Sequence, residues 1–198
     1  MSHNHNGLAR LMFRVKGDCP LIVHNKRLAN YRDPYAKQLK LYTAKRKKTD
    51  EEMEKISEIE FFGGLYTDPD GRPIIPAVNM EASVYRAASR QKLMAAFKRA
   101  ARVEKDIVLE YDGPKTADAL WKDDRFVFIT DVVVTGRTMR TRPIFPEWEG
   151  EFTIAYLPEE INRASIVKAV EDAGVFIGTC EWRPKYGRFS VTGVQDVN

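Results

Sequence analysis

The stretch GVFIGTCEWRPKYGRFSV, residues 174–191, sets Gly178, Gly187, Trp182 and Tyr186 among Arg183, Lys185 and Arg188, with Glu181 as its only acid. Glycine lets backbone N–H groups approach an anion closely, arginine offers a charged fork to phosphate, and an indole or phenol ring gives an unpaired base a face to stack on. A bare turn needs no such charges, and a solvated charged loop needs no such rings. The mixture fits a ligand that is both anionic and flat, which is the chemistry of a nucleic-acid strand with unpaired bases. The competing reading packs Trp182 and Phe189 into a core and leaves the arginines to solvate a turn.

A second basic element is Arg137, Arg140 and Arg142 in RTMRTRPIF, where period two puts Arg140 and Arg142 on one face of a strand. A solvated hairpin arm would carry the same charges. Lys45, Arg46, Lys47 and Lys48 follow a helix, where cations complement the macrodipole, and Lys98, Arg99, Arg102 and Lys105 read as a solvated face.

Metal-independent RNA cleavage needs a base for the 2′-hydroxyl and a group for the leaving oxygen. His24 lies in PLIVHN, a strand-like apolar segment that more often holds a structural histidine, and Asp33 in YRDPY precedes a proline as a helix-start residue does. No acid and base pair stands at a recognisable spacing, so no catalytic residue is expected. A small endoribonuclease using His24 or Asp33 is the enzymatic alternative. Cys19 and Cys180, with His3, His5 and His24, fall short of a disulfide framework or a zinc set, so free thiols, no metal and no cofactor are expected.

These residues need a scaffold, and 198 residues with 43% hydrophobic content can bury an ordinary core, which argues against disorder. The balance of 32 Lys and Arg against 28 Asp and Glu leaves +4, an excess that permits nucleic acid without demanding it. No apolar run approaches the roughly 20 residues that span a bilayer, and MSHNHNGLAR lacks a signal-peptide core, so a cytoplasmic protein with no membrane partner is expected.

LARLMFRVKG alternates Leu11, Phe13 and Val15 against Met12, Arg14 and Lys16, the pattern of a half-buried strand closed by Gly17. DPYAKQLKLYTAKRKK puts Tyr35, Leu39 and Tyr42 on one helical face, and TDEEMEKISEIEFF opens with the capping-box pair Thr49 and Glu52. After turn chemistry around Asp70 and Gly71, helical spacing of Met80, Val84, Ala87, Ala88 and Gln91 predicts a long helix from Pro76 to Lys105, broken near its middle. DIVLEY, RFVFITDVVVTG, RTMRTRPIF and GEFTIAYL read as strands, INRASIVKAVEDAG as a helix C-capped by Gly174, and GRFSVTGV as the last strand. With a helical insertion at 31–62 and a hairpin insertion at 112–146, the order is βαββαβ over a single domain, 1–198. The expected fold class is α+β with a ferredoxin-like core, a fold that hosts many functions.

Two segments carry a more specific likeness. DGRPIIPAVNMEASVYRAA resembles the segment that opens the first helix in the RAMP superfamily of CRISPR-associated proteins, and AGVFIGTCEWRPKYGRFSV resembles that superfamily's glycine-rich loop. Ala77, Asn79 and Glu81 stand where the family usually carries glycine, serine and lysine, and the loop has fewer glycines. The resemblance implies a core of the RNA-recognition type with both segments along single-stranded RNA. Gly178, Arg183, Lys185, Gly187 and Arg188 would be the loop contacts, and Asn79, Ser83, Arg86 and Arg90 the helix contacts.

The expectation is a non-catalytic binder of single-stranded RNA, or less favourably DNA, assembling as a homo-oligomer or ribonucleoprotein in several copies along a strand, in phage defence. A protein-interaction module of a phage or mobile element that mimics or docks onto a CRISPR complex is the alternative from another class.

Overall fold

In the computed structural model, which describes residues 7–133 and 137–197, the elements run β1 (Ala9–Gly17), β2 (Leu21–Ile22), α1 (Pro34–Thr43), α2 (Asp50–Gly64), β3 (Ile74–Ile75), α3 (Ala77–Ala88), α4 (Met94–Ala100), β4 (Ala101–Val103) and β5 (Ile107–Val108). There follow α5 (Ala117–Trp121), β6 (Val127–Val133), β7 (Arg137–Phe145), β8 (Glu149–Tyr156), α6 (Arg163–Asp172) and β9 (Phe189–Val197). They fall into two compact units, one of residues up to 21, 74–111 and 147 onward, the other of residues 22–73 and 112–146.

The first unit is built on an antiparallel sheet in the order β4-β8-β1-β9. Taken as the second, third, first and fourth strands of a βαββαβ chain, this is the ferredoxin-like arrangement. The alternation in β1 does what it promised: Leu11, Phe13 and Val15 are fully buried, and Phe13 stacks on Phe152 directly opposite, ring centroids 5.5 Å apart. On the other face Arg14 pairs with Glu151 and Lys16 with Glu149 across the same strands. Met80, Val84, Ala87 and Ala88 of α3, with Ile166, Ala169 and Val170 of α6, complete the core. Full burial of one large aliphatic among them is worth about 1.5–3 kcal/mol. Gly17 ends β1 because the Trp148 indole fills the place of a Cβ there, and the indole N–H donates to Cys19 O at 3.0 Å.

Three local expectations change. The long helix breaks at Lys92, which is left-handed (φ 60°), and α4 then ends at Ala100 instead of running to Lys105. Residues 101–103 extend as β4, with Arg102 paired to Ala155. Ala101 and Val103 are buried and Arg102 is exposed, the period of a strand, but three residues are too few to reveal that period after a helix, and pairing with β8 decides. DIVLEY keeps only Ile107–Val108 as strand, paired with β3. Gly174 is no C-cap. After α6 the chain continues through a π turn, Ala173–Ile177, and Gly178 (φ 72°) ends it, donating its N–H to Ala173 O at 2.8 Å. A Cβ at Gly174 would strike the Phe189 carbonyl oxygen, so this glycine serves close packing.

In the second unit, Asp33 caps α1, accepting from Tyr35 N–H at 2.9 Å, with Pro34 at the first helical position. Thr49 and Glu52 form the capping box of α2. β6 and β7 pair as an antiparallel hairpin with Ile129 opposite Thr141, and β2 lies beside β7. α2 packs on β7: Gly64 sits against the Pro143 ring, and the buried Glu60 carboxylate accepts from Arg140 Nη1 and Thr141 N–H, each at 2.8 Å. Phe61 meets Trp121 at a centroid distance of 5.2 Å and Phe126 meets Phe145 at 5.9 Å. Among the described residues no helix is long and apolar enough to cross a membrane.

Candidate nucleic-acid interface

The loop after α6 is closed by its own backbone. Thr179 N–H donates to Gly187 O at 2.8 Å, Gly187 N–H to Pro20 O at 2.9 Å, and Arg188 N–H to Cys19 Sγ at 3.3 Å. Gly178 and Gly187 (φ 72° and 70°) permit this approach, since a Cβ on Gly178 would lie 2.8 Å from Tyr186 O. Both glycine N–H groups are spent inside the fold, on Ala173 O and Pro20 O, so the side chains are left to meet an anion. Cys180 (φ 60°) and Trp182 (φ 51°) are held in the left-handed region that non-glycine residues rarely adopt.

Asn79, Ser83, Arg86 and Arg90 recur along α3 and the turn after it at spacings of four, three and four, which puts them on one helical face. The loop is pinned to that face. Arg183 Nη1 donates to Ser83 Oγ at 3.0 Å, Ser83 Oγ donates to Asn79 O at 3.1 Å, and Asn79 Nδ2 donates to Cys180 Sγ at 3.7 Å. Burial pushes the Cys180 thiol up to about 11, against the opposing hydrogen bonds of Asn79 and Thr179, so it remains a protonated structural group.

Ser83 is fully buried while Arg183 is exposed, so the bond anchors the guanidinium at its base and leaves its charge uncompensated. Arg86, Lys185 and Arg188 are also exposed, with no acidic partner among the described residues. Arg90 differs: its Nε lies 3.5 Å from Asp172, and its guanidinium sits 4.1 Å from the Phe176 ring centroid. Trp182 and Tyr186 are half-buried with ring centroids 6.1 Å apart, and Lys185 Nζ lies 5.7 Å from the Tyr186 ring. Phe189 is fully buried against Trp148, so the core reading holds for Phe189 and not for Trp182.

The remaining candidates belong to the second unit. Arg140 and Arg142 alternate onto one face of β7, opposite Thr130 and Phe128. Arg140 is neutralised by Glu60, and Arg142 Nη1 donates to Thr141 O at 3.2 Å. The Arg137 side chain, His3 and His5 lie outside the described residues. Burial first, then the charges of Arg142 and Arg140, push the His24 imidazole down to about 4, so it is neutral at pH 7. Its Nδ1 is buried with no partner among the described residues. The Asp33 carboxylate is taken by its helix cap and lies 3.7 Å from Arg27 Nε.

Sequence reasoning missed the residues that hold this interface from behind. Cys19 and Pro20 support the loop stem, and the buried Asp172 holds Arg90 and, at 2.6 Å, Lys168. Phe176 carried a signal that pointed the wrong way, because its spacing from Ala169 and Ala173 is that of a core residue.

No protein-family model matches the chain, and no curated protein matches it. Among solved structures it is similar to a chain of the cryo-EM structure of the Type III-B Cmr-beta bound to cognate target RNA, with a TM-score of 0.60 and 11% sequence identity. The match covers 97% of this chain and 61% of that one. At that identity the likeness is one of fold, and the ferredoxin-like α+β core is the part it supports.

Proposed function

We propose that this chain is a RAMP-like, non-catalytic protein that binds single-stranded nucleic acid, RNA in preference to DNA, and assembles in several copies along the strand as part of a ribonucleoprotein. One observation carries the reading. The Arg183 to Ser83 bond joins the two segments that resemble the RAMP first helix and glycine-rich loop, and around it Arg86, Arg183, Lys185 and Arg188 stand exposed and unneutralised. Cations on rigid elements hold phosphates, while the braced Trp182 and Tyr186 rings border the same loop. The neighbour of like fold comes from a complex solved bound to target RNA, which supports RNA as the ligand. A binder without cleavage is favoured because the Asp33 carboxylate is occupied as a helix cap and the His24 Nδ1 is buried, away from a strand lying on the surface.

Fluorescence anisotropy with unstructured RNA and DNA oligonucleotides of increasing length, across a salt series, tests the reading. RNA is expected to bind more tightly than DNA, and bound copies to increase with strand length. A dissociation constant weaker than about 100 μM at low salt, the floor of ordinary non-specific binding, would overturn the proposal.

A further inference from the structure

The inward stripe of α6 runs Ile166, Ala169, Val170, Ala173, and an uninterrupted helix would next send Phe176 into the core. The π turn prevents this. Its extra residue keeps Ala173 and Gly174 buried and turns Val175 and Phe176 outward, 51% and 48% exposed. The register cannot relax, because Gly174 is lodged against the Phe189 carbonyl and Gly178 N–H closes the turn on Ala173 O. A large aromatic ring is therefore held in solvent by the backbone, two residues before the loop of the proposed interface.

Arg90 then fixes the ring's setting. Its guanidinium lies 4.1 Å from the Phe176 centroid and is braced by the buried Asp172. Arg90 is also the last member of the helical face that begins at Asn79 and Ser83. We infer that Phe176, with Arg90 seated on its ring, is a base-stacking platform that continues the α3 and 178–188 interface. The inference rests on the proposed single-strand binding and adds a contact to it. With Arg90 on one face of the ring, a base would stack on the other face, and the ring and the nearby guanidinium would meet the flat and the anionic parts of one nucleotide. The exposed cation at Arg86, one turn before Arg90, favours that occupant over a neutral protein surface.

The test compares the full chain with its Phe176→Ala, Phe176→Leu and Phe176→Trp variants, on a single-stranded RNA and on an abasic strand of equal length. Loss of one stacked base should weaken RNA binding about 5- to 140-fold in the Ala variant. The Leu variant, which keeps apolar bulk without a flat face, should weaken it as well. The Trp variant should bind at least as tightly as wild type, all four proteins should bind the abasic strand alike, and the salt slope should not move. If wild type binds RNA and the Ala and Leu variants bind it equally well, the platform is overturned while single-strand binding stands. If wild type binds no strand, both readings fall. Unchanged RNA affinity with altered self-association in sedimentation would make Phe176 a subunit contact and overturn the platform.

Discussion

Arg183→Ala combined with Arg188→Ala removes two of the four uncompensated cations at the interface and leaves Arg86 and Lys185. Each phosphate contact on a single strand contributes about 0.7 to the slope of log K against log salt, so four predict a slope near −2.8 and the double variant one near −1.4. Raising salt from about 50 to about 200 mM should then cost wild type about 50-fold in affinity and the double variant about 7-fold. Ser83→Ala is the control: it removes the anchor of Arg183 but no charge, so it should lower affinity while keeping the wild-type slope. Anisotropy titrations with a uridine-rich RNA at four or five salt concentrations read both quantities. An unchanged slope in the double variant would mean that phosphates are held elsewhere and that the loop is an architectural turn.

In the second unit, Glu60→Ala should destabilise by about 3 kcal/mol in urea denaturation, because it strips the partly buried Arg140 and the Thr141 N–H of their acceptor. Adding Arg140→Ala should recover part of that loss and leave the RNA salt slope unchanged; a smaller slope would show that Arg140 contacts phosphate. The folded pKa of His24, about 4, lies below the ordinary 6.5, so the unfolded chain takes up the proton first. Its contribution is full above pH 6.5 and is lost as pH falls from 6.5 toward 4, and His24→Gln should flatten the melting temperature across that window. Identical pH profiles for the two proteins would contradict this placement of His24. Labelled RNA should survive incubation with the purified chain with or without Mg²⁺; cleavage that disappears in a folded His24→Ala or Asp33→Ala variant would establish the nuclease reading instead.

What was legible in the sequence was what short-range chemistry decides. Asp33-Pro34 and Thr49 with Glu52 announced two helix starts because capping uses neighbours within three residues. The period of β1 announced its buried face because one face of a half-buried strand faces water. β4 was hidden because its three residues acquire their conformation from β8, about fifty positions away. The neutralisation of Arg140 was hidden for the same reason, since Glu60 reads as one more acid on an acidic helix until α2 packs on β7. The exposure of Phe176 was hidden because a π turn leaves no period in the sequence while shifting every later side chain around the helix axis.

In the loop the glycines carry a different task from the one their residue type suggests. Its glycines suggested a backbone cradle for phosphate, yet Gly178 and Gly187 use their freedom to bring Thr179 to Gly187 and Gly187 to Pro20, and their N–H groups are consumed in doing so. What this closure supplies is position. It carries Arg183 to Ser83 and Cys180 to Asn79, so two segments about a hundred residues apart become one surface with the cations outermost. Long charged side chains on a rigid base grip the repeating phosphate without reading bases, and aromatic faces accept any base because every base has one. On the proposed function, such a surface would be indifferent to sequence and additive along a strand, which is the property that side-by-side copies would require.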